Sequence, residues 1–441
     1  MLPDEERGAA NVIRISEADQ ESITVGRGWL RAGGVTTAQR NQRQRALPDT
    51  VAFLQELVRV PSLLGSEEPA QRLVEDRLRE IGFTVRSIEP DAERLAEYAH
   101  SGLPLRSYEG RRCLVGTLTG GRGRSLLLNG HVDVVSVRPA DQWTKPPFGA
   151  DIEGGRLYGR GACDMKGGIA AMLLGVEAAL APGPLPGDVV YQSVIEEECG
   201  GNGALAACLV GPRADGVIIA EPTNGALDLV AVGVVWARIT LEAHTRHASH
   251  TDQGSHPIEA AFAVIEALHT LEAELNEDPE PEFAGMEWPY LLNVGALHAG
   301  DWPSTTPGRA EVDVRLGLPI RMDPAEGQER LIETVRSVTA DARVEFRGFR
   351  APGYAFDEAS PLVSLLCRCH EEVHGRRPLP EPSRATTDLR FFTPPLGPDQ
   401  AVCYGPTGGG LHGVDEWLDL ESVADVATVL ALLLRRWGET T

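Results

Sequence analysis

The stretch that decides how this chain folds is residues 159–168, Gly-Arg-Gly-Ala-Cys-Asp-Met-Lys-Gly-Gly. It follows the short run Arg156–Tyr158 and precedes an apolar segment, 169–180, with the pattern of a buried helix. Its glycines permit a sharp turn, and its one carboxylate, Asp164, lies in the middle. The spacings of phosphate-binding loops are absent, and a carboxylate repels phosphate. The stretch therefore predicts a turn that presents Asp164 to a metal cation.

Length and composition narrow the classes of protein that this chain can be. With 441 residues it is long enough for more than one domain. The formal charge of −23 argues against nucleic acid and anionic membrane surfaces as partners, because both require basic patches. The 7 cysteines do not form a disulfide or zinc-finger pattern, although Cys367 and Cys369 make one C-x-C. We therefore expect reduced thiols and a cytoplasmic protein.

Hydrophobic periodicity divides the chain into three folded segments. Two helices are predicted first, one with Pro48 near its first turn and one over 67–81, and strands then alternate with helices up to residue 220. From residue 234 the order becomes strand–helix–strand–strand–helix–strand, which is a split βαβ unit. The α/β alternation returns after residue 355. The pattern thus predicts an α/β protein with a small α+β domain inserted into a larger one.

The predicted domain boundaries follow from these changes in pattern. Residues 1–46 are polar, without periodicity, and are predicted to be a flexible N-terminal tail. The first and second parts of the larger domain are 47–232 and 351–441, and the inserted domain is 233–350.

Four segments carry side chains suited to divalent metals, each beside glycines or after a predicted strand. They are His131 with Asp133, Asp164, the acidic run 196–198 with the nearby Glu221, and His412. In an extended segment His131 and Asp133 share a face, so Asp133 can orient the imidazole. A lone histidine is more often structural, and an acidic triplet is more often solvated surface. Together they match the nitrogen and oxygen ligands of a zinc pair.

At these positions the sequence resembles the M20 metallopeptidase and deacylase family. The matching motifs are Gly130-His131-Val132-Asp133, the stretch 159–168, Glu197-Glu198, Glu221-Pro222-Thr223, and His412 with Asp415-Glu416. The resemblance runs from about residue 48 to the end of the chain. It implies a phosphorylase/hydrolase-like α/β catalytic domain with an inserted ferredoxin-like lid domain, through which two chains form a homodimer.

The resemblance also implies roles for individual residues. Two divalent metals, zinc or alternatively cobalt, would be bound by His131, Asp164, Glu198, Glu221 and His412, with Asp164 shared between them. Glu197 would be the general base and Asp133 the partner of His131. The Asp164–Met165 peptide would be cis. His247 would reach the partner subunit's active site, and Arg315 would bind the substrate carboxylate.

The predicted function is hydrolysis of an amide bond in a small molecule. The turn before Arg315 is similar to that of the acetylornithine deacetylase and formylaminopyrimidine deformylase branch, so we expect an N-acyl amine or N-acyl amino acid as substrate. Two alternatives stay open: a dipeptidase or carboxypeptidase, and a binding protein that has lost catalysis. Since all five ligands and Glu197 are present, the sequence favours an enzyme.

Overall fold

The computed structural model of the protein describes residues 37–251 and 254–440, with side chains from residue 47 onward. Most of the predicted flexible tail, residues 1–36, lies outside the described residues. The first helix, α1, spans Thr37–Arg59 and contains Pro48 in its interior. The prediction that Pro48 lies in the first turn was therefore wrong. Strong helix formers such as Ala, Gln and Arg precede Pro48 and extend the helix, and the one hydrogen bond lost at proline does not end it.

The larger domain is built on a six-stranded sheet with the order β1-β2-β6-β3-β7-β14. Its strands are β1 (Thr84–Ile88), β2 (Cys113–Leu118), β3 (Gly123–His131), β6 (Gly187–Val194), β7 (Gly216–Ile219) and β14 (Ala401–Cys403). Strands β6, β3, β7 and β14 run parallel, whereas β1 and β2 are antiparallel to their neighbours. Parallel neighbours end at one edge of the sheet, so the residues that follow them come together there.

Helices cover this sheet. Besides α1 they are α2 (Glu68–Ile81), α3 (Ala92–Ala96), α4 (Gly167–Leu180), α5 (Asn202–Val210), α8 (Pro361–His374) and α9 (Leu420–Glu439). Helix α4 is the apolar segment predicted to be buried, and its side chains are buried over most of its length. It packs closely on α9, since a Cβ at Gly175 would lie 3.1 Å from the carbonyl oxygen of Ala427.

The inserted domain has the predicted split βαβ order. Its elements are β9 (Gly233–Glu242), α6 (Pro257–Leu275), β10 (Leu292–Ala299), β11 (Arg309–Leu318), α7 (Pro324–Val338) and β12 (Arg343–Ala351). The four strands form an antiparallel sheet in the order β10-β11-β9-β12, which leaves β10 and β12 at its edges. This is a ferredoxin-like arrangement.

Two smaller sheets were not predicted. One pairs β8 (Val230–Ala231) with β13 (Tyr354–Ala355). The other joins β4 (Asp151–Glu153), β5 (Arg156–Tyr158), β15 (Gly408–Gly409) and β16 (Trp417–Asp419). Strands of two or three residues are too short to show a periodicity. The second small sheet matters for the site, because it joins the chain before residue 159 to the chain after residue 416.

The buried apolar residues of the described chain form two clusters. One contains residues from 47–231 and 354–437, and the other contains residues from 232–351. The fold is thus an α/β catalytic domain with an inserted ferredoxin-like α+β lid domain, as predicted. We propose the boundaries 47–232, 233–350 and 351–441 for its parts, which this division of the core supports. Within residues 37–251 and 254–440, no helix has both the length and the hydrophobicity needed to cross a bilayer.

Candidate metal centre

Three adjacent parallel strands deliver the acidic and imidazole side chains to one edge of the large sheet. Strand β3 ends at His131, β6 is followed by Glu197 and Glu198, and β7 is followed by Glu221. Glu196 lies between β6 and this pair with a positive φ of 67°. That backbone conformation turns the chain sharply into the short helical turn Glu197–Cys199. The three strand ends therefore present their side chains to a common space.

The first group of potential ligands is His131, Asp164 and Glu221, whose ligand atoms all lie within 4.8 Å of one another. The Nε2 atom of His131 lies 3.2 Å from Oδ1 of Asp164 and 3.7 Å from Oε1 of Glu221. The Nδ1 atom donates to the main-chain carbonyl of Asp133 at 2.9 Å. Because Nδ1 donates to a carbonyl, Nε2 is the nitrogen that faces the two carboxylates, and it is the one available to a metal.

The second group shares Asp164 with the first and adds Glu198 and His412, again within 4.8 Å. The Nε2 atom of His412 lies 2.8 Å from Oε2 of Glu198 and 3.3 Å from Oδ2 of Asp164. The two oxygens of Asp164 thus face different histidines. This arrangement would allow one carboxylate to contact two cations.

The turn that presents Asp164 is shaped by glycines and by close packing. Gly161 has φ 77°, and the Asp164–Met165 peptide is cis, as the resemblance implied. At the start of α4, a Cβ on Gly168 would lie 1.9 Å from the carbonyl oxygen of Ala220. Only glycine allows this approach, which brings the turn of Asp164 against the residue that precedes Glu221.

Asp133 contacts the site differently from the prediction. Its carboxylate lies 3.7 Å from Nδ1 of His131, whereas its main-chain carbonyl accepts the hydrogen bond from that nitrogen. The carboxylate oxygens accept instead from the main-chain N–H groups of Glu197 and Glu198, at 3.3 and 3.2 Å. Asp133 therefore orients His131 through its backbone and the turn of Glu197 through its side chain.

The electrostatics of the site suit a pair of cations. The pKa of Glu197 is raised well above its usual range, mainly by burial and next by the charge of the Asp388 carboxylate. Burial likewise raises the pKa of Glu221 well above its usual range and that of Glu198 to about 7. Burial opposes charge on His131, but Asp164 and the other carboxylates raise the pKa of this imidazole overall. The negative charges of these buried carboxylates repel one another, and two divalent cations would remove that repulsion. The residues therefore fit a two-metal centre.

The site opens into a cavity of about 880 Å³ between the catalytic domain and the lid. Asp164, Glu197, Glu198, Glu221 and His412 line one part of it, and Arg315 of the lid lines another. His247 is not among its lining residues. It lies in an exposed loop of the lid, where its Nδ1 is 2.8 Å from Oγ of Ser249 and its backbone bridges to Thr305. Within one chain, the structure brings together all the predicted site residues except His247.

Two residues near the site were not assigned roles from the sequence. Arg390 is buried and donates to the carbonyl of Gly200 at 3.0 Å, just beyond the turn of Glu197. Glu416 is buried beneath the turn of Asp164. The sequence signal for Glu416 was its place in the motif with His412. For Arg390 there was none, since nothing in the segment 386–392 has the spacing of a ligand set.

Comparison with known proteins agrees with this geometry. The profile of Peptidase family M20/M25/M40 matches residues 127–436, which includes all five potential ligands. The chain belongs to this family. The predicted resemblance to M20 proteins is therefore confirmed, and so is the prediction of an enzyme that hydrolyses amide bonds.

Individual M20 proteins resemble the chain over most of its length. A succinyl-diaminopimelate desuccinylase of Maricaulis maris is 30% identical over 408 residues, covering 88% of this chain and 95% of the relative. An N-formyl-4-amino-5-aminomethyl-2-methylpyrimidine deformylase of Halalkalibacterium halodurans is 28% identical over 350 residues, covering 71% and 79%. The structure of the dipeptidase Dug1p of Saccharomyces cerevisiae superposes with a TM-score of 0.75 at 14% identity, covering 92% of this chain and 98% of Dug1p. The last comparison shows that the M20 fold is shared.

Proposed function

We propose that this chain is a two-metal amidohydrolase that removes the acyl group from a small N-acyl amine or N-acyl amino acid. The observation that carries the proposal is the pair of ligand groups that share Asp164, next to Glu197 on the wall of one cavity. The two relatives named as a desuccinylase and a deformylase support an acyl group as the part removed.

The metals are proposed to be zinc, with cobalt as an alternative, because the ligand set is nitrogen and oxygen only. His131 and Glu221 would hold one ion, Glu198 and His412 the other, and Asp164 both. When bound, two divalent cations polarise an amide carbonyl and lower the pKa of water. The remaining chemistry depends on side chains of the protein.

Glu197 is proposed to move the proton. It is 7% exposed, lines the cavity, and its turn is fixed by the carboxylate of Asp133. A carboxylate in this position accepts a proton from the attacking water and returns it to the nitrogen of the leaving amine as the C–N bond breaks. Because Glu197 is only 7% exposed, the proton that it accepts is shielded from bulk water between these two events.

Arg315 is proposed to bind a carboxylate of the substrate. It lines the same cavity as Glu197, and burial lowers the pKa of its guanidinium. The Nη2 atom of Arg315 donates a hydrogen bond to the carbonyl of Arg384 at 2.6 Å. Among the described residues no carboxylate forms a salt bridge with the Arg315 guanidinium. A half-buried guanidinium without an anion is a site for one.

We further propose a homodimer in which His247 completes the partner's active site. Among the described residues β10 is an edge strand of the lid sheet, and the lid exposes Phe262 of α6 at 60% and Trp302, in the turn after β10, at 67%. Exposed apolar groups next to an open strand edge favour pairing with a second chain. The loop of His247 bridges to Thr305 on the same side of the lid. His247 could then donate a hydrogen bond to the amide oxygen as negative charge develops there.

The test of function is a hydrolysis screen of the zinc-loaded and the cobalt-loaded protein. N-formyl, N-acetyl and N-succinyl amines and amino acids would be compared with dipeptides, and amine release would be measured. We expect N-acyl substrates to be hydrolysed with higher kcat/KM, and Glu197→Gln to abolish the reaction while two metals stay bound. Preference for dipeptides would support the peptidase alternative, and no hydrolysis with both sites loaded would support a binding protein.

A cytoplasmic location is proposed as well, since all seven cysteines are free thiols.

A further inference from the structure

Glu416 makes an unusually complete set of contacts for a buried carboxylate. It is 1% exposed, and its two oxygens accept four hydrogen bonds. Oε1 accepts from the main-chain N–H groups of Cys163 and Asp164 at 2.8 and 3.0 Å. Oε2 accepts from the N–H of Gly161 at 2.9 Å and from Nη1 of Arg160 at 2.6 Å. Every one of these donors belongs to the turn that presents Asp164.

Strand pairing explains how a residue more than 250 positions away reaches this turn. In the small sheet β16 pairs antiparallel with β5, so that Trp417 lies opposite Tyr158. Glu416 precedes Trp417, and its carbonyl accepts from the N–H of Gly159 at 2.9 Å. The register therefore sets the Glu416 side chain directly under the loop that leaves β5.

Arg160 extends the connection to the loop of His412. Its Nη2 atom donates to the carbonyl of Gly413 at 2.7 Å, and its guanidinium lies over the ring of Trp143. His412 itself has a side chain that is 55% exposed and a positive φ of 59°. The loop of His412 is thus held from behind by Arg160 and by the strand that follows Glu416, rather than by burial of the ligand.

We propose that Glu416 is the positioning residue that makes the Asp164 turn and the His412 loop one rigid unit, and so sets the affinity of the second metal site. The inference rests on the proposed metal centre but not on the substrate. Two of the three ligands of the second group, Asp164 and His412, come from segments that Glu416 holds. In the first group only Asp164 comes from such a segment, because His131 ends strand β3 and Glu221 follows strand β7 of the large sheet. Loss of Glu416 should therefore weaken the second site more than the first.

The experiment is a zinc titration of Glu416→Gln against a chromophoric chelator, compared with the metal-free wild-type protein. Glutamine has the same shape but places an amide NH₂ against N–H donors. Removing a group that orients metal ligands typically costs about 10–100-fold in affinity. We expect the zinc affinity to fall by that factor at the second site and by less than about threefold at the first. Cobalt absorption spectra would show whether the site that weakens has its coordination altered.

A matched control is Asp415→Asn, which removes the neighbouring carboxylate of the same loop. The Asp415 carboxylate accepts from the N–H and Oγ of Thr144 and from the N–H of Lys145, whereas the hydrogen bonds of Arg160 and of the Asp164 turn go to Glu416. We expect both zinc affinities of this variant to stay within about threefold of wild type. Unchanged zinc affinities in Glu416→Gln, or equal losses in both variants, would overturn the proposal. Failure of the wild-type protein to bind two zinc ions would instead contradict the proposed metal centre.

A second measurement covers the case in which Glu416→Gln does not fold. Amide hydrogen exchange can be followed at residues 161–164 in the metal-free wild-type protein. If Glu416 holds this turn, the amides of Gly161, Cys163 and Asp164 should exchange slowly even without metal, since all three donate to a buried carboxylate. Exchange at the rate of exposed amides would overturn the proposal independently of any substitution.

Discussion

The cross-subunit role of His247 makes a quantitative prediction about mixed dimers. The perturbation is a pair of variants, Glu197→Ala and His247→Ala, each of which should be inactive as a homodimer. Glu197 lines the cavity of its own chain, whereas His247 lies outside it in an exposed lid loop. A complete site would then combine Glu197 of one chain with the partner subunit's His247. Losing a hydrogen-bond donor to the developing oxyanion typically lowers kcat about 10²–10³-fold.

The expected recovery follows from counting sites. In a heterodimer of the two variants, one active site lacks both groups and the other lacks neither. Random pairing of equal amounts makes about half of the dimers mixed, so about one quarter of all sites regain both groups in a two-fold dimer. Since each parent is inactive, activity should rise from near zero to about one quarter of the wild-type value.

The assay mixes the two purified variants, loaded with zinc, and follows hydrolysis of the preferred substrate as subunits exchange. Native mass spectrometry of differently tagged chains verifies that mixed dimers form. Zinc content is measured in parallel, because His247 is not a proposed ligand and its loss should leave both metals in place. Verified exchange without recovery would refute the reasoning, as would wild-type kcat in His247→Ala alone.

Three further predictions concern metal binding and stability. Asp164→Ala should lose both zinc ions on dialysis, because its carboxylate belongs to both ligand groups, and zinc analysis that still finds about two tightly bound ions would exclude the shared-ligand assignment. Burial raises the pKa of Asp228 to about 8, so the folded state keeps a proton that the unfolded chain loses near pH 3.9. The free energy of unfolding of the wild-type protein therefore falls as the pH rises from about 3.9 to about 8. The side chain of Asp228→Asn does not titrate, so its free energy of unfolding should rise by about 2–3 kcal/mol relative to that of wild type between pH 5 and pH 7. If urea unfolding of the metal-free proteins gives the same difference at both pH values, the raised pKa is contradicted. Gly201→Ala should cost about 1–3 kcal/mol in chemical unfolding, because its φ is 71° and its Cβ would lie 2.0 Å from Nη2 of Arg390. Gly110→Ala, at the same φ of 71° with open space around it, isolates the backbone cost, and equal effects would argue against the clash.

Much of this protein could be predicted from short segments of its sequence. The alternation of strands and helices indicated the α/β layers, and the split βαβ order indicated the lid, because both are repeated local periodicities. The five potential ligands were recognisable because His131, Glu198 and Glu221 each come directly after a strand or its turn. The start of α1 could not be placed, since Pro48 suggested a helix start where the chain is already helical.

Other features depended on contacts between segments that are far apart in the chain. Nothing near Glu416 indicates that its carboxylate accepts from the turn of Asp164, because this contact exists only when two three-residue strands pair in register. In the same way, the backbone of Asp133, not its side chain, accepts from His131, and this depends on the path of the chain after β3. A sequence motif identifies the side chains that can bind a metal, since their chemistry is intrinsic. Their positions are fixed by distant backbone hydrogen bonds, which only the tertiary structure creates.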